Sequence, residues 1–345
     1  MARDLKPTLI ENTFVLKALT ENVRLDNRSF SQMRNLDISF SSTEYGAVDV
    51  HLGRTRVIVR ISAEVTQPRS DRPYDGLFVI STEISPMAAP TFEAGRKSEE
   101  ELVISRIIEK SIRQSQALDT ESLCILAGEK CWLVRADVHF LDHDGGLLDA
   151  GCLAVSAALL HYRRPEISIV GSGDARQVVV HPPTEKVPVP LSVLHVPVCV
   201  TFSFFNMKLA QSSLTAATST TAATTPAKEN DEIDMDTDDT DETAVLVDAS
   251  LQEELLRHGF MSVTSNINKE ICQIYKAGQL AVEIETLLSC SEAATAVAEK
   301  VTKLIRRRLK EDEVARNVGN VLEEARAEND RLVADEGVIQ DMNND

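Results

Sequence analysis

The chain has 345 residues, of which 43% are hydrophobic and 4% aromatic, and its formal net charge is −18 at pH 7. This length is sufficient for one large or two modest globular domains with a hydrophobic core. Residues 228–242 and residues 311–345 each carry a net charge of −8, so the remaining body carries only −2. The negative charge is therefore concentrated in two segments. It does not exclude that the nearly neutral body binds an acidic partner such as RNA.

Six cysteines are scattered along the chain without a short Cys-x-x-Cys pair, which argues against a zinc site or a disulfide framework. The N-terminal residues lack the apolar core of a signal peptide. The longest apolar stretches, 153–160 and 196–205, are shorter than the roughly 20 residues that a membrane-spanning helix needs. We therefore expect a soluble protein of a reducing, intracellular compartment.

The first part of the chain has the alternation of β-strands. Apolar and polar residues alternate at 36–40, 48–52 and 57–61, and glycines between these segments predict antiparallel hairpins. A proline-containing loop at 67–75 precedes a further predicted strand at 77–84. Two X-Pro steps then interrupt regular structure.

From Glu99 the apolar residues recur at helical spacing, which predicts an amphipathic helix. Residues 131–141 alternate again as a strand. The segment 150–162 is apolar on nearly all faces, so it predicts a helix buried against a sheet. Strand-like segments follow at 167–170, 178–180 and 193–205.

Residues 211–243 are rich in Ser, Thr and Ala and then acidic, without an apolar period, which predicts a disordered insertion. Beyond it we predict strands near 261–264, 270–275 and 280–284. A capping box at Ser289–Glu292 is expected to open a helix that ends in the basic run 306–310. This basic run is typical of a nuclear-import signal or an RNA-binding patch. It is equally typical of a solvated helix C-terminus, where cations complement the helix dipole.

Several of these stretches resemble the RNase PH-type ring subunits of the RNA exosome. Arg24-Leu25-Asp26-Asn27-Arg28, followed by Arg34, is similar to the RxDGR…R opening of such subunits, with Asn27 where the family prefers glycine. Longer similar blocks are RPYDGLFVISTEISPMAAPTFEAGR, ALDTESLCILAGEKCWLVRADVHFLDHDGGLLDA and PLSVLHVPVCVTFSFF. The resemblance covers about residues 10–206 and 244–310.

The resemblance implies an α+β fold of the RNase PH type, with two related sheet-and-helix halves. It places the first half at 1–206, a disordered acidic insertion at 207–243, the second half at 244–310 and an acidic, partly helical tail at 311–345. It also implies a hetero-hexameric ring of RNase PH-type exosome subunits, RNA-binding cap subunits, an associated exoribonuclease and single-stranded RNA as partners. The expected locations are the nucleus, the nucleolus and the cytoplasm.

Active members of the family use phosphate to cleave RNA from its 3′ end, so their site must bind an anion beside a polyanion. Their Gly-Gly-Thr-Arg phosphate turn corresponds here to Gly145, Gly146, Leu147 and Leu148, and Glu100 stands where they place an arginine. Their two aspartates, six residues apart, correspond to Asp248 and Glu254. We therefore expect no catalytic residue and no cofactor, and a non-catalytic scaffold.

Two other functions stay open at this stage. An active phosphorolytic 3′–5′ exoribonuclease would have to build its anion site from residues that the motifs do not identify. A metal-dependent hydrolase could use His139, Asp142, His143 and Asp144, although a strand end followed by an exposed polar turn is the preferred interpretation.

Contact with RNA requires cations, because phosphate groups dominate nucleic-acid affinity. The alternative for each cation is ordinary surface charge. The basic residues that we expect to contact RNA are Arg69, Arg72, Arg96, Lys97, Arg106 and Arg113.

Overall fold

The computed structural model describes residues 7–93, 95–170, 177–182, 185–206 and 243–316. The predicted disordered insertion lies outside these residues except for Thr243, and so does the predicted tail beyond Arg316. Within the described part, no helix is both long enough and apolar enough to span a membrane. Four of the six free cysteines are buried, as expected of small apolar side chains.

The first sheet has the order β1-β2-β3-β6-β4, with the short β5 paired to β6. All neighbours are antiparallel except β4 and β6, which are parallel. Inward and outward residues alternate along these strands, which confirms the predicted period of two. The strands are β1 Leu36–Phe40, β2 Ala47–Leu52, β3 Thr55–Thr66, β4 Leu77–Ile84, β5 Cys124–Leu126 and β6 Lys130–Asp142.

Among the described residues, three α-helices precede the second sheet: α1 Leu9–Thr20, α2 Glu99–Arg113 and α3 Leu147–His161. The helix α2 begins where its apolar period begins, with Ser98 accepting a hydrogen bond from the Glu101 amide at 3.1 Å. As predicted, α3 is buried along almost its entire length.

The sequence interpretation missed α1. A capping box marks its start, with the Glu11 amide donating to Thr8 Oγ1 and the Thr8 amide donating to the Glu11 carboxylate. Its buried side chains pack on Phe205 and Leu246, which lie about 190 and 230 residues further along the chain. The helix is therefore stabilised by residues that are distant in sequence, which a local apolar period does not reveal.

The second sheet is antiparallel, with the order β12-β11-β13-β14. β11 ends at residue 206, yet its partner strands β12 and β13 begin at residue 243 or later. Two short pairs, β7 with β10 and β8 with β9, lie between the sheets in sequence. The strands are β7 Arg163–Arg164, β8 Ile167–Val170, β9 Gln177–Val180, β10 Val189–Pro190, β11 Val198–Asn206, β12 Thr243–Val247, β13 Gly259–Ser265 and β14 Ile271–Gly278.

Two helices complete the described fold: the short α4 Leu251–Glu254 and the long α5 Ile284–Arg316. The predicted strand at 280–284 is wrong, because Ile284 already begins α5. The predicted helix start at Ser289 is also wrong, since the Ser289 hydroxyl donates to the Thr286 carbonyl inside the helix. Ser289 therefore lies inside the helix and does not cap it, and α5 continues six residues past residue 310.

One hydrophobic core connects both sheets through α3 and α5. At the end of α5, Arg308 donates to Asp37 at 2.8 Å and the Asp312 carboxylate lies 3.2 Å from His161 Nε2. The two halves are thus packed together, and the N-terminal end of α3 lies where they meet.

Candidate functional site

An arginine of the N-terminal motif reaches across to the second half of the chain. Arg24 Nε and Nη2 donate to the two carboxylate oxygens of Glu253 at 3.1 and 2.7 Å, and its Nη groups also donate to main-chain carbonyls at the end of β12. The side chain of Arg24 is completely buried, and that of Glu253 is 2% exposed. A buried charge of this kind is tolerated only when it is paired and hydrogen-bonded.

Asp248, one of the two predicted degenerate positions in the second half, is engaged by Arg34. Arg34 Nη2 and Nε donate to its two carboxylate oxygens at 2.6 and 2.9 Å, and the Arg34 amide donates at 2.8 Å. The Asp248 side chain is fully buried, and Arg28 adds a contact at 3.4 Å. The Asp248 carboxylate therefore accepts its hydrogen bonds from the protein itself, and Arg34 lies 214 residues away in sequence.

The same Arg34 supports the glycine turn before α3. Its Nη1 donates to the Asp144 carbonyl at 2.7 Å, and its Nη2 donates to the Gly145 carbonyl at 3.0 Å. Gly146 has φ of +66°, and a Cβ there would lie 2.5 Å from Arg34 Nη2. Glycine is required at this position because the conformation is left-handed and the guanidinium lies directly against the backbone.

The N-terminus of α3 begins with Leu147 and Leu148, both nearly buried and both without a polar side-chain atom. A carboxylate of the protein itself lies there. Glu254 accepts a hydrogen bond from the Gly146 amide at 3.2 Å and another from Arg257 Nη1 at 3.2 Å. Burial raises the pKa of Glu254, and Arg257 and the Gly146 amide oppose that rise. One amide at the helix end that attracts anions is thus already bonded to a carboxylate of the protein.

A cleft of about 690 Å³ opens beside this helix end, between α2, α3, α4 and the strands β13 and β14. Glu99 and Glu100 lie at its rim, on the first turn of α2, and both are exposed. Burial and the nearby Arg34 lower the pKa of His143 to about 4, so this side chain is neutral at pH 7. The cleft is lined by apolar side chains and by acidic groups, whereas a phosphate would need hydrogen-bond donors and cations.

The chain matches two domain families: domain 1 of the 3′ exoribonuclease family over residues 32–165 and domain 2 of that family over residues 227–297. The exosome complex component rrp45 of Schizosaccharomyces pombe is 48% identical over 312 residues, covering 90% of this chain and 94% of that protein. The chain belongs to the RNase PH family of exosome components. This confirms the predicted fold.

Other relatives and structures extend the similarity. The RRP45 component of Homo sapiens is 36% identical over 309 residues, which are 90% of this chain and 62% of that protein. A solved exosome of Archaeoglobus fulgidus, with RNA bound to its active site, has a chain that superposes with a TM-score of 0.65 at 26% identity. That match covers 85% of this chain and 97% of the archaeal one.

Four of the six basic residues predicted to contact RNA lie on one surface of this RNase PH family member. They line two adjoining cavities of about 500 and 90 Å³, here called the basic groove. Lys110, which the prediction omitted, also lines it, and its spacing from Arg106 and Arg113 on one helix face could have revealed it. Against these five cations stand Glu109 and Asp75, so the groove is positive. The predicted residues in it are Arg69, Arg72, Arg106 and Arg113.

The other two predicted residues, Arg96 and Lys97, lie just before the opposite end of α2. Lys97 lies nine residues before Arg106, the first groove residue on α2, which is about 14 Å at 1.5 Å per residue. Lys97 Nζ lies 3.9 Å from the Glu101 carboxylate, so part of its charge is balanced locally. The structure thus separates the six cations into two groups.

The residues of the alternative metal site are not brought together. His139 lies on β6 with its Nδ1 3.4 Å from Glu83, whereas His143 Nδ1 accepts a hydrogen bond from the Gly145 amide at 3.3 Å. Among the described residues, no three His, Cys, Asp or Glu side chains are placed to hold a metal ion.

Proposed function

We propose that the chain is a non-catalytic ring subunit of the RNA exosome, which scaffolds a 3′–5′ RNA processing and degradation complex and forms part of the RNA path. Relatives named as exosome component RRP45 support the assembly, and within that group we propose the counterpart of the polymyositis/scleroderma autoantigen of the seventy-five kilodalton type. The proposed partners are the other RNase PH-type ring subunits, RNA-binding cap subunits, an associated exoribonuclease and single-stranded RNA.

The position of Glu254 carries the non-catalytic part of this proposal. Its carboxylate accepts from the Gly146 amide at the N-terminus of α3, where an active member would bind phosphate. An external anion would have to displace this carboxylate. It would then lie beside Leu147 and Leu148, which have no polar side-chain atom, in a cleft that Glu100 also lines. Repulsion and the loss of donors therefore act together against phosphate binding.

We further propose that residues 1–206 and 244–310 form the two halves of the subunit, joined by a disordered insertion, and that residues 311–345 form an acidic tail. The proposed locations are the nucleus, the nucleolus and the cytoplasm.

Assembly tests the scaffold function directly. Mixed with the other RNase PH-type ring proteins, the full chain is expected to enter one complex of defined stoichiometry, measured by sedimentation velocity and native mass spectrometry. Alone it is expected to aggregate or exchange among oligomers, because α1 exposes large apolar side chains such as Ile10 and Phe14, 81% and 62% exposed. A stable monomer that ignores the ring proteins would contradict the proposal.

The basic groove is expected to contribute to RNA affinity in the assembled ring. Replacing Arg72 and Arg113 by glutamate should weaken single-stranded RNA binding and lower the slope of log affinity against log salt by about 1.4, since each phosphate contact contributes about 0.7. Fluorescence anisotropy over a salt series measures the slope. The Arg96→Glu, Lys97→Glu pair is expected to lower the slope independently, because distant sites act additively.

A matched control separates the groove from general charge. Arg60 and Arg135 are exposed and form ion pairs on the first sheet, outside the groove. Their double replacement by glutamate makes the same change in net charge and should leave the slope unaltered. An unchanged slope in the Arg72→Glu, Arg113→Glu ring would remove the groove from the RNA path.

A further inference from the structure

We infer that the cleft between α2, α3 and α4 is a docking site for a peptide segment that carries an apolar side chain next to lysine or arginine. This function goes beyond ring assembly. It rests on the proposed non-catalytic function, because an active subunit would hold RNA and phosphate in the same cleft.

The size and walls of the cleft suit an apolar side chain. Its volume of about 690 Å³ lies in the range of pockets that enclose a ligand. Val103 and Leu255 remain 40% and 43% exposed at its surface, so apolar area is left open there. The apolar side chains that line the cleft include Phe92, Val103, Ile104, Leu147, Leu148 and Leu255.

The charge at the rim selects a cation. Glu99 and Glu100 line the cleft and are exposed, and neither makes an ion pair with the residues that the structure describes. Arg257, the cation that lines the cleft, is already engaged by Glu254 at 3.2 Å and by the ring of Phe260 at 4.0 Å. The two rim carboxylates are therefore available to an incoming lysine or arginine.

The same features disfavour a nucleic acid in this cleft. A phosphate group would approach Glu99 and Glu100 and would meet leucine side chains at the start of α3. At the positive end of α3, the Glu254 carboxylate already accepts a hydrogen bond from the Gly146 amide and adds a negative charge. A peptide that places its cation at the rim and its apolar side chain between the walls matches both the charge and the surface of the site.

Three fluorescent hexapeptides test the inference by anisotropy with the full-length chain: alternating Lys and Leu, alternating Lys and Ser, and alternating Glu and Leu. The Lys–Ser peptide measures attraction to the acidic insertion and tail, and the Glu–Leu peptide measures apolar binding without attraction to the rim. We expect the Lys–Leu peptide to bind about tenfold or more tightly than either, because it satisfies both the walls and the rim.

Variants locate the binding. The Glu99→Gln, Glu100→Gln chain should lose about tenfold in affinity for the Lys–Leu peptide. Glu283→Gln, Glu285→Gln is the matched control, because both are exposed acids at the start of α5 and lie outside the cleft lining. Glu99 and Glu100 also interact favourably with the dipole of α2. The control therefore tests whether the loss of such a dipole interaction by itself alters binding. Val103→Ser, Leu255→Ser should weaken binding similarly.

The inference is overturned if no peptide binds, if the Glu–Leu peptide binds as well as Lys–Leu, or if the glutamine variants bind like the unaltered chain. Loss of binding when the chain is assembled with its ring partners would also overturn it, because a ring neighbour would then occupy the cleft. Nucleoside diphosphate released from RNA and phosphate tests the non-catalytic function separately. If no peptide binds and no nucleoside diphosphate is released, only the docking site is refuted.

Discussion

Replacement of Arg34 by methionine is expected to lower the free energy of unfolding by about 3–5 kcal/mol, the usual cost of leaving a buried charge without its partner. Arg34 makes two of the shortest contacts to the Asp248 carboxylate, whose side chain is fully buried. Arg28 alone, at 3.4 Å, cannot replace them. A typical domain has about 5–15 kcal/mol of stability in total, so the loss is large.

Pulse proteolysis in urea measures this loss at low concentration, where aggregation of the subunit is slow. The matched control is Arg56→Met. Arg56 donates to the two carboxylate oxygens of Asp49 at 3.2 and 2.6 Å, but its side chain is 43% exposed. Such a surface pair contributes about 1 kcal/mol or less. Equal losses in the two variants would show that burial of the Arg34 pair is not what stabilises the junction.

No nucleoside diphosphate is expected when the full chain is incubated with single-stranded RNA and phosphate. A hydrogen bond to a charged group contributes about 1.5–3 kcal/mol, and the resemblance to active members implies that Leu147 and Leu148 stand in place of the threonine and arginine of their phosphate turn. Because 1.4 kcal/mol is about a factor of ten in rate, these losses together with Glu100 predict at least a thousandfold deficit. Thin-layer chromatography of labelled products detects such release.

The structure also determines which substitution is informative in that assay. Asp248→Asn would weaken the buried contacts with Arg34 and change folding and chemistry together. Glu254 is the better probe, since its side chain is 17% exposed and lies at the cleft. Any phosphate-dependent decay seen with ring partners should survive Glu254→Gln, with Glu285→Gln as the control. If Glu254→Gln abolished that decay, Glu254 would be catalytic and the scaffold proposal would fail.

Local periodicity predicted much of the fold because it reflects which face of an element is buried. The strand at 77–84 and the helix from Glu99 have the predicted bounds, since their apolar residues change period where the structure changes. The start of α5 was predicted five residues too late, because Ser289 resembles a cap but lies inside the helix. The helix α1 was missed because its packing partners, Phe205 and Leu246, are far away in sequence.

The candidate site likewise combines features that the sequence predicts with features that depend on distant contacts. The sequence by itself determined which chemical groups are available: two leucines after the glycine turn, Glu100, Asp248 and Glu254. Only the tertiary structure decided that Arg34 pairs with Asp248 and that Glu254 accepts a hydrogen bond from the amide at the start of α3. A sequence pattern records the period and type of side chains along the chain. Contacts between residues more than 100 positions apart depend on how the two sheets pack around α3.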